Sequence, residues 1–261
     1  MIRALWTAAS GMNAQQTNID VIANNLANVN TAGYKASTLQ FEDLMYATER
    51  PPGNRTADGV ESPVGLQVGY GSRATATTRA FTQGELQRTQ NVLDVAISGR
   101  GFFQVQLPDG TFAYTRDGSF ARNADGQIVT KEGYSLVGAP QLDPAATEIS
   151  ILRDGTVTQV INNSVQQAGQ ILLSNFTNPE GLRSLGGNLF AETETSGAAE
   201  TGITPGSNGT GALAQGYVEM SNVKIVEEMV RMIQAQRAYE INSKAINSAD
   251  EMLGIANNLR R

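Results

Sequence analysis

The sequence predicts an α+β protein: a discontinuous α-helical coiled-coil domain built from both termini, with an inserted, mainly antiparallel β domain. Three observations predict it. Apolar residues recur every seven positions at both ends, the spacing of a coiled-coil seam. In the middle they alternate with a period of two, the spacing of half-buried strands. Asp-Gly and Glu-Gly pairs punctuate that middle at short intervals, as hairpin turns do.

At the N-terminal end Leu5, Met12, Ile19 and Leu26 form one seven-residue set. Ala8, Gln15, Ile22 and Val29 form the set offset by three. A helix stop is expected between Val29 and Gly33, where Asn28, Asn30 and Gly33 tolerate a left-handed turn. The polar, Pro- and Gly-rich stretch from Ala47 to Gly65 follows, with neither helical nor strand period. It reads as an extended connector or a long surface loop.

The β-rich middle runs through "LDVAISGRGFFQVQL" to "ISILRDGTVTQV". Asp109-Gly110, Asp117-Gly118, Asp125-Gly126, Glu132-Gly133 and Asp154-Gly155 are its turn signals, and their spacing predicts an antiparallel meander or small barrel. A second polar stretch, Ala191–Gly211, leads toward the C-terminal helix.

That last helix carries Ile225, Met232, Tyr239, Ile246 and Leu253 at intervals of seven. Ala235, Ala249 and Ala256 lie on the offset set, which Glu228 and Asn242 interrupt. Ser221 or Asn222 is the expected N-cap, and Glu227 and Glu228 suit the positive end of the helix dipole. Arg260 and Arg261 suit its other end. At ~1.5 Å per residue the helix would be on the order of 55–60 Å long, too long for an ordinary small domain. Val226, Val230, Ile233 and Ile241 fall outside the seam. Such leftover apolar faces predict burial against other copies of the chain.

Composition removes several chemistries. The 261 residues include no His and no Cys. There is therefore no imidazole base, His metal site, thiolate, disulfide or iron–sulfur cluster. A net charge of −6 argues against nucleic acid as a partner. No apolar run reaches the ~18 residues of a membrane span. The opening breaks after a few apolar residues into Gly11, Asn13, Gln15 and Gln16, unlike a secretory signal. Export from the cytoplasm would then need a route that reads no hydrophobic leader.

Two motifs carry possible chemistry. "ARNADGQIVTKE" (Ala121–Glu132) has calcium-loop spacing at Asn123, Asp125, Gly126 and Glu132. It carries Ala121 where the first carboxylate belongs and has strand-like flanks, so a hairpin is the better reading. Asp109, Asp117, Asp125 and Glu132 could supply the carboxylate pair of a glycoside hydrolase. Each precedes Gly, and turn formation accounts for all four. No catalytic, cofactor-binding or metal-ligating residue is assigned.

The segment "ANNLANVNTAGYK" (Ala23–Lys35) resembles the N-terminal signature of the bacterial flagellar rod and hook protein family, A-x-N-L-A-N-x-x-T-x-G-F/Y-K/R. Ala23, Asn25, Leu26, Ala27, Asn28, Thr31, Gly33, Tyr34 and Lys35 occupy its fixed positions. Gln215–Ile246 is similar to the family's C-terminal signature, and "DVAISGRGFF…KEGY" to its β domain. The opening thirty residues and the connector are most similar to the distal-rod branch.

The resemblance implies a structural subunit, not an enzyme, and no cofactor. It implies a helical homopolymer in the periplasmic part of the basal body. Its partners would be proximal-rod proteins, the hook protein, cell-wall and outer-membrane ring proteins, and the flagellar type III export gate, with no direct membrane insertion. The helical assembly interface would use Leu5, Met12, Ile19, Leu26, Ile225, Met232, Tyr239, Ile246 and Leu253. Phe41 and Met45 match an export motif, Phe-x-x-x-apolar. The expected domains are 1–38 (first helix), 39–75 (connector), 76–214 (outer β domain) and 215–261 (last helix). The alternatives are another rod or hook member, or a carboxylate-based cell-wall hydrolase.

Overall fold

The structure is a computed structural model that describes residues 2–51, 64–162 and 164–258. Most of the Pro/Gly-rich connector, together with Leu259, Arg260 and Arg261, lies outside the described residues. The chain divides into two compact units. Unit 1 comprises Met1–Leu26, Ser37–Thr78 and Lys224–Arg261; unit 2 comprises Ala27–Ala36 and Arg79–Val223. Helices at both termini and many antiparallel strands between them make the fold α+β, as the sequence predicts.

In unit 1, helix α1 spans Ile2–Ala27 and helix α2 spans Ile225–Asn258, about 50 Å at ~1.5 Å per residue. A two-stranded sheet joins Ser37–Asp43 with Ser72–Arg79. Tyr46–Arg50 pairs antiparallel with Leu66–Gly69. The connector therefore enters and leaves as a ribbon, not a loop. Its strands are largely exposed, so backbone pairing forms them without the apolar alternation that would have marked them in sequence. Gly71, at φ +118°, lies against Ser10 and Thr7 of α1, where a Cβ would collide. Arg3 reaches Glu49 at 2.7 Å across the same region.

Unit 2 is built on a seven-stranded antiparallel sheet. Its order is Arg183–Gly186, Leu189–Ala191, Phe112–Thr115, Phe103–Gln106, Ser135–Leu136, Ile128–Val129 and Ala121–Arg122. A three-stranded antiparallel sheet joins Glu148–Ile151, Thr156–Ile161 and Ser164–Gln170. The core gathers Val95, Ile97, Phe103, Val105, Phe120, Leu142, Val157, Ile171 and Leu173. A second cluster stacks Phe81, Phe102, Phe176, Phe190 and Tyr114 edge to face.

The predicted meander is only partly realised. Gly110, Gly126, Gly133 and Gly155 take φ between +80° and +90° in tight turns. Gly118 does not. It lies flat against Val95, whose carbonyl a Cβ at Gly118 would strike, and its own carbonyl accepts from Val95 N at 2.9 Å. Asp117-Gly118 is a crossing packed on a core strand, and the sheet order is not sequential.

The expected N-cap of α2 also differs. Ser221 Oγ accepts from Val223 N at 3.2 Å, before the helix begins at Ile225. Asn222 is occupied elsewhere: its Oδ1 accepts from Ala36 N, and its Nδ2 donates to Ala80 O and Thr82 Oγ1.

Candidate assembly surface and buried signature

At about 100° per residue, α2 separates into two opposite faces. One carries Glu228, Ala235, Asn242 and Ala249, of which Glu228, Ala235 and Ala249 are buried. Asn242 closes on Gly11 of α1, where a Cβ would sit 2.9 Å from the Asn242 amide nitrogen. Small and polar residues let the helix backbones approach there. The two residues that interrupt the apolar spacing in sequence thus lie on the inner face. The opposite face carries Val226, Val230, Ile233, Ile241, Met252 and Ile255, all exposed; Val226 is 75% exposed and Ile241 65%. The usual amphipathic arrangement is reversed.

The nine predicted interface residues lie four on α1 and five on α2, the five beside the inner face of α2. Leu5, Met12, Ile19, Leu26, Met232, Ile246 and Leu253 are half-buried, and Ile225 and Tyr239 are exposed. Phe41 and Met45 are exposed as well, one within and one just after the strand Ser37–Asp43.

The signature residues divide between the units. In unit 1, Asn25 is buried. Its Nδ2 donates to Ser37 O at 2.8 Å and to Glu228 Oε2 at 3.1 Å, while its Oδ1 accepts from Ser37 N at 2.9 Å. Glu228 completes its pairing with Arg231 at 2.9 Å. Ala23 is exposed and Leu26 half-buried.

In unit 2, Ala27 is exposed and Asn28 and Thr31 are half-buried. Thr31 N and Oγ1 donate to Asn28 O and Oδ1 and close the turn after the helix. Gly33 has φ +70°, and a Cβ there would lie 2.5 Å from Asp117 N. Only glycine fits such a backbone. Its N–H donates to Glu219 O at 2.8 Å. Tyr34 is buried beneath the Arg79 guanidinium, 5.9 Å from the ring centre.

Lys35 ends the signature at 0% exposure. Its Nζ donates to Glu219 Oε1 at 2.6 Å and to Thr82 O at 2.8 Å. Gly84 N also donates to Glu219 Oε1, at 2.9 Å. Arg116 Nε lies 3.0 Å from Glu219 Oε2, which takes no hydrogen bond of good geometry and is compensated by that charge. The Arg116 guanidinium also donates to the carbonyls of Gly99 and Gly101. Two buried cations therefore share one buried carboxylate. Burial is the main cause that lowers the Lys35 pKa below its ordinary 10.5, against the opposing pull of Glu219. Burial also lowers Arg116. No sequence pattern singles out Arg116 and Glu219, which are far from Lys35 along the chain.

Two of the four carboxylates named as hydrolase candidates, Asp109 and Asp117, accept from backbone N–H groups two residues on. Asp109 Oδ1 accepts from Thr111 Oγ1 and N, which hold its pKa below the usual carboxylate range. Asp117 Oδ1 accepts from Ser119 N at 2.9 Å. In the calcium-like segment Asn123 Oδ1 accepts from Asp125 N and Gln127 N, inside a hairpin flanked by strands. Among the described residues no three of His, Cys, Asp and Glu gather where they could hold a metal ion. No helix among them is long and apolar enough to cross a membrane.

Three family models match: "Flagella basal body rod protein" over residues 5–35, "Flagellar hook protein FlgE/F/G D1 domain" over 96–159, and "Flagellar basal body rod FlgEFG protein C-terminal" over 214–259. The chain is 52% identical to the flagellar basal-body rod protein FlgG of Borreliella burgdorferi, with 100% of both chains covered. It is 47% identical to the FlgG of Agrobacterium fabrum over 97% of this chain and 98% of that one. It is 34% identical to the flagellar hook-basal body complex protein FlhP of Bacillus subtilis, again across both full lengths. Two terminal helices, an antiparallel β unit between them and near-complete alignment converge, and the chain belongs to the flagellar basal-body rod protein family, a structural family of the bacterial flagellum.

Proposed function

We propose that this chain is the distal-rod subunit, polymerising into a rigid helical tube that carries motor torque to the hook and lines the export channel. The reversed face of α2 carries the reading. A helix with Val226, Val230, Ile233 and Ile241 toward solvent has its hydrophobic driving force unspent. Full burial of such a side chain stabilises by roughly 1.5–3 kcal/mol, and about half or more of each is still exposed. Identical copies related by a non-closing screw would supply that cover repeatedly.

In this reading the helices within 1–38 and 215–261 form the inner layer as a coiled coil between copies, while 27–36 and 215–223 pack in unit 2. The half-buried residues Leu5, Met12, Ile19, Leu26, Met232, Ile246 and Leu253 take part, with Ile225 and Tyr239. The connector 39–75 braces it to the outer β domain 76–214. The polymer stands in the periplasm between proximal-rod proteins and the hook protein, inside the cell-wall and outer-membrane rings. Subunits leave by the flagellar type III gate, which reads Phe41 and Met45; their exposure supports access.

Electron microscopy of the purified chain tests the reading. Straight tubes of uniform diameter, together with loss of motility in a deletion strain, are expected. A chain that stays monomeric at high concentration, or a deletion strain that swims normally, contradicts it.

A further inference from the structure

The chain passes between its two units four times, at 26/27, 36/37, 78/79 and 223/224. In unit 2, one side chain binds three of these passages together. Asn222, next to the last, accepts from Ala36 N at 2.8 Å, beside the second. It also donates to Ala80 O at 2.7 Å and to Thr82 Oγ1 at 2.9 Å, just past the third. Unit 1 has a counterpart. Asn25, next to the first passage, grips both backbone groups of Ser37 and the Glu228 carboxylate, just past the last. Ala36 and Ser37 are consecutive, so adjacent amides are held by one asparagine from each unit.

An amide side chain suits this role because it offers one acceptor and two donors in a fixed plane. It adds side-chain bonds to the single backbone bond between the second and third passages, from Ala80 N to Ala36 O at 2.9 Å, and ties the fourth passage to both. Neither asparagine acts as a helix cap, the ordinary reason for Asn near a helix start.

We propose that Asn222, with Asn25 as its counterpart, is a positioning residue for load transfer: each binds the chain passages of its own unit into one bracket, so that force entering along one passage is shared by the others. The proposal rests on the torque-carrying reading above. It adds where, within each unit, the load is distributed. Without the bracket a pull on the 36/37 passage is shared in unit 2 only through the backbone bond from Ala80 N to Ala36 O and the buried Lys35–Glu219–Thr82 cluster.

The test combines residue-resolved amide exchange on the assembled polymer with swimming in viscous medium. In Asn222→Ala, exchange at Ala36 should accelerate about tenfold, the equivalent of one lost hydrogen bond. Exchange at core amides such as Val105 and Val157 should stay unchanged. Asn25→Ala should accelerate Ser37 and spare Ala36. Asn222→Asp keeps the acceptor for Ala36 N and should restore its protection while breaking the donor bond to the Ala80 carbonyl; the Thr82 hydroxyl can turn and donate to the carboxylate instead. Cells with Asn222→Ala should assemble normal polymers yet lose swimming speed disproportionately as viscosity rises. Unchanged exchange at Ala36, or uniform acceleration across the core, overturns the bracket. So does normal swimming at high viscosity, and the rod reading then stands. If the wild-type chain forms no polymer, the rod reading fails, and the same exchange comparison on the soluble chain decides whether the bracket exists. Should Asn222→Ala not assemble, Asn222→Asp carries the comparison: unchanged swimming at high viscosity with the Ala80 bond broken overturns the proposal.

Discussion

Replacing Glu219 with Gln would remove the one anion between Lys35 and Arg116 while keeping the side chain's shape. Both cations are buried, and each lies within 3.0 Å of the carboxylate. Charge centres about 4 Å apart attract by ~4 kcal/mol at an effective dielectric constant of ~20. Two such attractions offset desolvation costs of several kcal/mol per ion. Gln can still accept from Gly84 N and Lys35, but its amide hydrogens would face Arg116. The expected destabilisation of unit 2 is about 3–5 kcal/mol, a large part of the ~5–15 kcal/mol that holds a typical domain. Lys35→Met should cost much less, about 1–2 kcal/mol, because it removes the surplus cation and leaves Arg116 paired. Urea titration followed by circular dichroism of the β signal measures both; the helical signal comes from the two long helices of unit 1 and reports on that unit separately. A Glu219→Gln shift below ~1 kcal/mol, or Lys35→Met costing as much as Glu219→Gln, would refute the shared-carboxylate account.

Three further outcomes follow from the same geometry. The Lys35 pKa is lowered in the folded chain, so the unfolded chain binds more protons between that lowered value and 10.5. Stability should rise with pH through this window and gain nothing more from Lys35 above 10.5; Lys35→Met should flatten the rise in urea midpoints. Gly33→Ala meets both a positive φ and a backbone atom at 2.5 Å, and should cost roughly 2–4 kcal/mol. Gly133→Ala, with positive φ but nothing within 4 Å, should cost only ~1 kcal/mol, and equal losses would show that the contact with Asp117 is unimportant. Glu228→Gln keeps an acceptor for Asn25 and should leave unfolding of the helical signal within ~1 kcal/mol, whereas Glu228→Ala should weaken it by ~1–3 kcal/mol; equal losses would show that charge, not the hydrogen bond, matters there.

The helices were legible because the seven-residue spacing spans most of each, and the β unit because Val95, Ile97, Phe103 and Val105 alternate beside Gly turns. What sequence could not show is pairing at a distance. Lys35 meets Glu219 across 184 residues, and Arg116 joins them from a strand end, so no local period brings the three together. Asn222 reads locally as a helix cap because its true partners, Ala36 and Ala80, lie more than a hundred residues away in sequence. Glu228 and Asn242 look like defects in an apolar seam until Asn25 and Gly11 are seen opposite them. The ribbon at the connector's ends was missed for a different reason: exposed strands carry no burial pattern to read.

The claim that assembly is driven by the outward apolar face of α2 is tested most directly by Val230→Asp together with Ile241→Asp. Both side chains are exposed in the single chain, so the charges cost little there and the monomer's circular dichroism and urea midpoint should stay unchanged. In a polymer each copy would bury two unpaired carboxylates, at several kcal/mol per subunit. Electron microscopy of wild-type and variant chains under the same conditions should show straight tubes for the first and none for the second. Variant tubes as abundant and as straight as wild type would contradict the account.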